Sequence, residues 1–250
     1  MISFIERRLV FPARKVSDGD WNPPDLPFED VTFTADDGTK LHGWYVPHAQ
    51  PRAVVLYSHG NGECVPHLDN RLRVLNQRIG VSVFAWDYRG YGRSEGKSHE
   101  SNVVSDARTA QLWLADRANI DPDEVVLIGR SLGGAVSVAL AAEHAVAGLV
   151  LDRTFSCLLD TAAHNIPWFP VRCFMSNRFS SAKNIRKYHG PLLQSHGTAD
   201  EVIPLAMGKQ LFEASPSKQK RFLEIPNGEH NGPLPDFCYE ALIDFLDSLK

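Results

Sequence analysis

The sequence predicts an α/β fold: a mostly parallel eight-stranded sheet, an N-terminal β-hairpin and helices on both faces. Three observations carry this. From residue 53 onward, short β-rich runs alternate with longer runs of helical spacing, the pattern of a parallel sheet wrapped by crossover helices. Those short runs are continuously apolar, as strands buried on both faces must be. Upstream the pattern differs: 28–35 alternates apolar and polar residues, Asp37-Gly38 offers a tight turn, and Lys40–Val46 runs extended. That is a hairpin signal.

The elements follow in order. The run at 53–58 (AVVLYS) reads as the first buried strand, and 68–79 as a helix with Leu68, Leu72, Leu75 and Ile79 on one face. A strand at 81–86 precedes a helix at 103–114 that carries Val103, Ala107, Ala110 and Leu114 at helical intervals. Asp121-Pro122-Asp123 turns the chain into a strand at 125–129. The next helix, 132–144, is rich in Gly and Ala, and small side chains let a helix lie close to a sheet. Strands at 147–152 and 191–196, a helix at 204–213, a strand at Lys220–Ile225 and a helix at 237–249 complete the series. Between 153 and 188 the alternation lapses around Pro167, Trp168, Phe169 and Pro170. A long irregular insertion in a compact domain is usually functional. Residues 154–188 are therefore expected to form a small cap on a single domain spanning 1–250.

Bulk properties bound the function. A chain of 250 residues with 43% apolar and 22% charged residues is globular. With 26 basic and 30 acidic side chains its net charge is −4, which gives no electrostatic reason to expect nucleic acid as a partner. Cys64, Cys157, Cys173 and Cys238 are scattered without metal-ligand spacing, so no zinc is expected. Cys157 and Cys173 fall in one short segment and could pair, but a core of this size needs no disulfide. No stretch of about 18 apolar residues exists to span a membrane. Glu6, Arg7 and Arg8 interrupt the first apolar run, which is unlike a signal peptide. The expectation is a cytoplasmic protein. Phe4, Ile5, Leu9, Val10 and Phe11 are expected to pack on the domain; alternatively they follow an anchor that associates the protein with a membrane.

The chemistry concentrates at Gly129-Arg130-Ser131-Leu132-Gly133, a G-x-S-x-G pattern between a buried strand and a small-residue helix. That placement is what a nucleophile elbow requires: a tight turn that pushes the serine hydroxyl clear of the sheet, beside the positive end of a helix. A serine needs a base. His144, His164, His189, His196 and His230 follow it, and only His230 lies in a polar loop between the last strand and the last helix. The histidine needs an acid to hold its tautomer. Asp200, in the turn after the strand at 191–196, is the candidate, with Glu201 and Asp152 as rivals. The oxyanion donors are expected to be the backbone N–H groups of Leu132 and of Asn61, or of Gly62, in His59-Gly60-Asn61-Gly62. His59 is expected to orient that loop. Asp87 and Arg89, in Asp87-Tyr88-Arg89-Gly90-Tyr91-Gly92-Arg93-Ser94, are expected to pin theirs by hydrogen bonds. Phe155, Trp168, Phe169 and Phe174 are candidate apolar walls of a substrate pocket, or else cap packing.

Taken together, Ser58–Gly62, Asp87–Ser94, Gly129–Gly134, Gly197–Pro204 and Gly228–Asn231 resemble the α/β-hydrolase superfamily, and within it the Bem46-like serine hydrolases, which include mammalian depalmitoylases. The resemblance implies the α/β-hydrolase fold and no cofactor. It implies cleavage of a small-molecule or acyl-chain ester through an acyl-enzyme, with a thioesterase as the near alternative and a peptidase further off. Peripheral membrane contact is compatible with it. A non-catalytic binding protein on the same fold is the reading from a different class.

Overall fold

The computed structural model describes residues 19–250. The apolar run at residues 4–11, for which domain packing or an anchor was expected, lies outside the described residues. Strands β1 (Glu29–Thr34) and β2 (Lys40–Val46) form the antiparallel hairpin, with Phe33 opposite Leu41 and Asp30 opposite Trp44. After β3 (Val54–Ser58) comes α1, spanning 65–79. It is less regular than its apolar spacing suggests. A 3₁₀ turn at Val65–Leu68 gives way to α-helix at Asp69–Arg73 and a π turn at Val74–Ile79. Gly80 ends it in the left-handed region at φ 78°, where an L side chain would be strained.

Strand β4 (Ser82–Trp86) follows, then α2 (Glu100–Ala118). This helix starts earlier than its apolar face indicates, because the Asn102 side chain accepts the His99 N–H at 2.8 Å and caps the first turn. Next come β5 (Val126–Arg130), α3 (Leu132–Ala141) and β6 (Gly148–Asp152). The segment after β6 is more ordered than its spacing suggests. It folds into α4 (Leu158–Asn165), α5 (Val171–Phe174) and α6 (Ser181–Asn184). Strand β7 (Leu192–Gly197), α7 (Leu205–Ala214), β8 (Lys220–Ile225) and α8 (Asp236–Asp247) close the chain.

The sheet order is β1-β2-β4-β3-β5-β6-β7-β8. The two pairings made by β2 are antiparallel and the rest are parallel. Strand alternation divides the core into two layers. Leu127, Leu151 and Phe84 face Val103, Ala107, Leu114 and Val136 of α2 and α3. Ile128, Val150 and Val83 face Leu68, Leu72, Leu242 and Leu246 of α1 and α8. Each fully buried Leu or Ile contributes roughly 1.5–3 kcal/mol.

After β3 the chain moves to β4 on one side and then crosses back to β5 on the other. At such a reversal the connecting loops diverge and leave a crevice beyond the carboxyl ends of the strands. Gly60 and Asn61 leave β3 there, and Ser131 leaves β5. Among the described residues no helix is long and apolar enough to cross a membrane.

Candidate active site

Ser131 occupies the turn between β5 and α3 with φ 52° and ψ −117°, a conformation that a non-glycine residue holds only when its surroundings impose it. Three hydrogen bonds do so. Its N–H donates to the Asp152 carbonyl at 2.9 Å, and its carbonyl accepts from Gly134 N–H at 3.0 Å and from Thr154 Oγ1 at 2.7 Å. The flanking glycines are needed for room. A Cβ on Gly129 would fall 2.3 Å from the Gly133 carbonyl oxygen, and one on Gly133 would fall 2.0 Å from that of Ser58.

His230, in the loop between β8 and α8, brings Nε2 to 3.2 Å from Ser131 Oγ. Its Nδ1 lies 2.8 Å from Asp200 Oδ2. The other carboxylate oxygen of Asp200 accepts the N–H groups of Val202 (3.0 Å) and Ile203 (2.8 Å). Burial alone would raise the Asp200 pKa. The hydrogen bonds from His230 and Ile203 and the charges of His230 and His196 outweigh it and hold the carboxyl below its ordinary value. His196 is buried, and desolvation lowers its pKa. Its Nε2–H donates to the Ile203 carbonyl at 2.8 Å, which steadies the turn carrying Asp200.

The rival acids sit elsewhere. Glu201 is exposed. Asp152 accepts Ser195 Oγ–H at 3.0 Å and lies 3.4 Å from an Arg153 guanidinium nitrogen. His59 is fully buried, with Nδ1 2.8 Å from the Gly60 carbonyl and its own carbonyl accepting Tyr88 O–H at 2.6 Å. Those contacts orient the loop after β3. Asn61 in that loop accepts Tyr91 O–H on its side-chain oxygen at 2.9 Å. Asp87 accepts Val65 N–H at 2.8 Å, and Arg89 grips Asp106 through two nitrogens at 2.6 and 2.7 Å. Both residues thus hold backbone or an adjoining helix.

Ser131, His230, Asn61 and Leu132 border a cavity of about 370 Å³. Its apolar wall comes from Phe155, Leu158, Ala162, Ile166, Val171 and Met175. Of the four aromatic residues proposed for that wall, Phe155 alone lines it. Trp168 is 82% exposed, and Phe169 and Phe174 stack on one another outside the lining. The missed lining had a sequence signal: Leu158, Thr161, Ala162, Asn165 and Ile166 fall at i, i+3, i+4, i+7 and i+8, one face of a helix. A second cavity, of about 270 Å³, lies on the α1–α8 face of the sheet and contains neither Ser131 nor His230.

The arrangement can do specific chemistry. An imidazole nitrogen at hydrogen-bonding distance from a serine hydroxyl can take its proton, and a carboxylate on the far nitrogen stabilises the resulting imidazolium.

Residues 49–155 match the family model described as serine aminopeptidase, S33. The α/β hydrolase domain-containing protein WAV2 of Arabidopsis thaliana is 30% identical, the match covering 82% of this chain and 73% of WAV2. The bem46 protein of Schizosaccharomyces pombe is 28% identical over 96% of this chain and 85% of its own length. Among solved structures, the Pyrococcus furiosus esterase Pf2001 superposes with a TM-score of 0.77 at 22% identity, covering 94% of this chain and 97% of the esterase. The chain thus belongs to the α/β-hydrolase superfamily and resembles the Bem46-like proteins within it.

Proposed function

We propose that this chain is a serine hydrolase that cleaves carboxylic esters through an acyl-enzyme on Ser131. The observation that carries the reading is the continuous path from Asp200 Oδ2 to His230 Nδ1, and from His230 Nε2 to Ser131 Oγ, at 2.8 and 3.2 Å. It ends on a strained turn that opens into a largely apolar cavity.

In this mechanism Ser131 Oγ attacks the ester carbonyl as His230 Nε2 takes its proton. The oxyanion is held by the backbone N–H groups of Leu132, first residue of α3, and of Asn61. The N–H of a helix's first residue has no acceptor within the helix, so it is free for this role. Collapse of the tetrahedral species breaks the C–O bond, and His230 protonates the departing alcohol. Water, deprotonated by His230, then attacks the acyl-enzyme and releases the acid. The apolar wall from Phe155 to Met175 supports an acyl group as the part of the substrate that is buried, with the β6–β7 segment as its cap.

A fluorophosphonate probe tests this. Labelling of the wild type that disappears in Ser131→Ala, together with turnover of p-nitrophenyl esters, is the expected result. A folded wild type that neither labels nor turns over any member of a chain-length series overturns the reading.

A further inference from the structure

Arg130 fills the variable position of the G-x-S-x-G pattern, yet it is almost completely buried and its donors span two loops. One terminal nitrogen donates to the His230 carbonyl at 2.9 Å and to Asn231 Oδ1 at 2.7 Å. The other donates to Glu63 Oε1 at 2.9 Å. Glu63 in turn accepts the Gly60 N–H on its second oxygen, Oε2, at 2.7 Å. Backbone of the loop that carries Asn61 is therefore joined to backbone of the loop that carries His230, through two side chains.

The packing is as specific as the bonding. A Cβ on Gly60 would lie 2.8 Å from both Arg130 and Glu63, so glycine lets this loop rest directly on the ion pair. The charges around the pair are also accounted for. Arg130 Nε is 4.0 Å from Asp152 Oδ2, and Arg71 adds a second positive charge near Glu63. Burial raises the Glu63 pKa, but Arg130 and Arg71 overcome this and keep the carboxyl below its ordinary value. The Arg130 side chain is 6% exposed and that of Glu63 23%. A pair this far out of water gains little net stability, because desolvation cancels most of the attraction. What it supplies is geometry. The planar guanidinium fork fixes direction in a way that a lysine ammonium cannot.

We propose that Glu63 and Arg130 are positioning residues: one tie that holds the oxyanion loop and the histidine loop in register, so that the donor at Asn61 and the base at His230 meet the same substrate carbon. This rests on the serine hydrolase reading. Misplacing a catalytic group by about 1 Å costs on the order of 100-fold in rate.

The test compares Glu63→Gln, Arg130→Lys and the double variant. Each single change is expected to lower kcat on a p-nitrophenyl ester by about ten- to a hundredfold with little change in KM. The double variant is expected to lose no more than the worse single variant, since one tie can be cut only once. Losses that multiply, or a Glu63→Gln kcat equal to wild type, overturn the proposal. Hydrogen exchange supplies a readout independent of chemistry. In Glu63→Gln, backbone amides at 59–63 and at 228–232 are expected to exchange faster together, and loosening confined to 59–63 overturns the tie. Should these variants fail to fold, Asn231→Ala removes one arm alone, and an unchanged kcat there overturns it too. A wild type that resists fluorophosphonate while both loops loosen together in Glu63→Gln defeats the hydrolase reading and leaves the tie standing.

Discussion

Asp200 holds His230 from one oxygen, 2.8 Å from Nδ1, while its other oxygen is fixed by the N–H of Ile203. The carboxylate cannot rotate away without giving up two backbone donors. Asp200→Asn is therefore expected to keep the fold and to favour the wrong imidazole tautomer, lowering kcat by about 10³–10⁴-fold. Asp152→Asn, whose carboxylate faces Ser195 and Arg153, is expected to stay within about tenfold of wild type on the kinetic scale. Steady-state kinetics on one activated ester checks both, and the reverse order assigns the acid to Asp152.

The same carboxyl links stability to pH. Its folded pKa lies below the ordinary value of 3.8, so near that value the unfolded chain binds more protons than the folded one. Stability from this group is complete above 3.8 and is lost as pH falls through the lower folded value. Urea denaturation of wild type and Asp200→Asn is expected to show a gap at pH 7 that closes below pH 4.

Gly133 faces a harder limit. A Cβ there meets the Ser58 carbonyl oxygen at 2.0 Å, and that oxygen belongs to a central strand. Gly133→Ala is expected to destabilise by about 3 kcal/mol or more, or to abolish folding. Gly38, at φ 86° with open space around it, carries backbone strain alone, so Gly38→Ala is expected to cost about 1 kcal/mol. Thermal melts of the pair distinguish collision from strain.

Phe155 is buried in the cavity wall, whereas Trp168 stands in solvent. Phe155→Ala is expected to shift the preferred acyl length of p-nitrophenyl esters and raise KM for the best wild-type ester about tenfold or more, through loss of about 1.5–3 kcal/mol of apolar contact. Trp168→Ala is expected to leave that profile unchanged.

These contrasts also mark what the residues disclosed in advance. The central strands were legible because a strand buried on both faces must be continuously apolar, as in VVLYS and VLIGR. That Ser131, His230 and Asp200 come together was legible because each sits in a turn after a strand, on the same edge of the sheet. The β6–β7 segment was not, because Pro167 and Pro170, just beyond α4, draw attention to Trp168 and Phe169 and away from the helical spacing of Leu158 to Ile166. Aromatic composition says that a residue is apolar, not which way it points. The irregular course of α1 was equally hidden, since Leu68, Leu72, Leu75 and Ile79 satisfy a plain helix. Arg130 and Glu63 were passed over because a charged residue inside a motif's variable position looks like surface filler. Only the folded geometry brings Glu63, three residues after Gly60 in the chain, against Arg130, which is 67 residues away.

The order of the site along the chain has a consequence during synthesis. The serine and its histidine are separated by 99 residues, and the histidine follows its acid by 30. The histidine lies in the loop that follows β8, so it is the last of the three to be synthesised. On the proposed mechanism, a growing chain carries Ser131 well before it carries the His230 that would serve as its base. A fragment ending before the loop that follows β8 would therefore lack the base and is expected to turn over no ester.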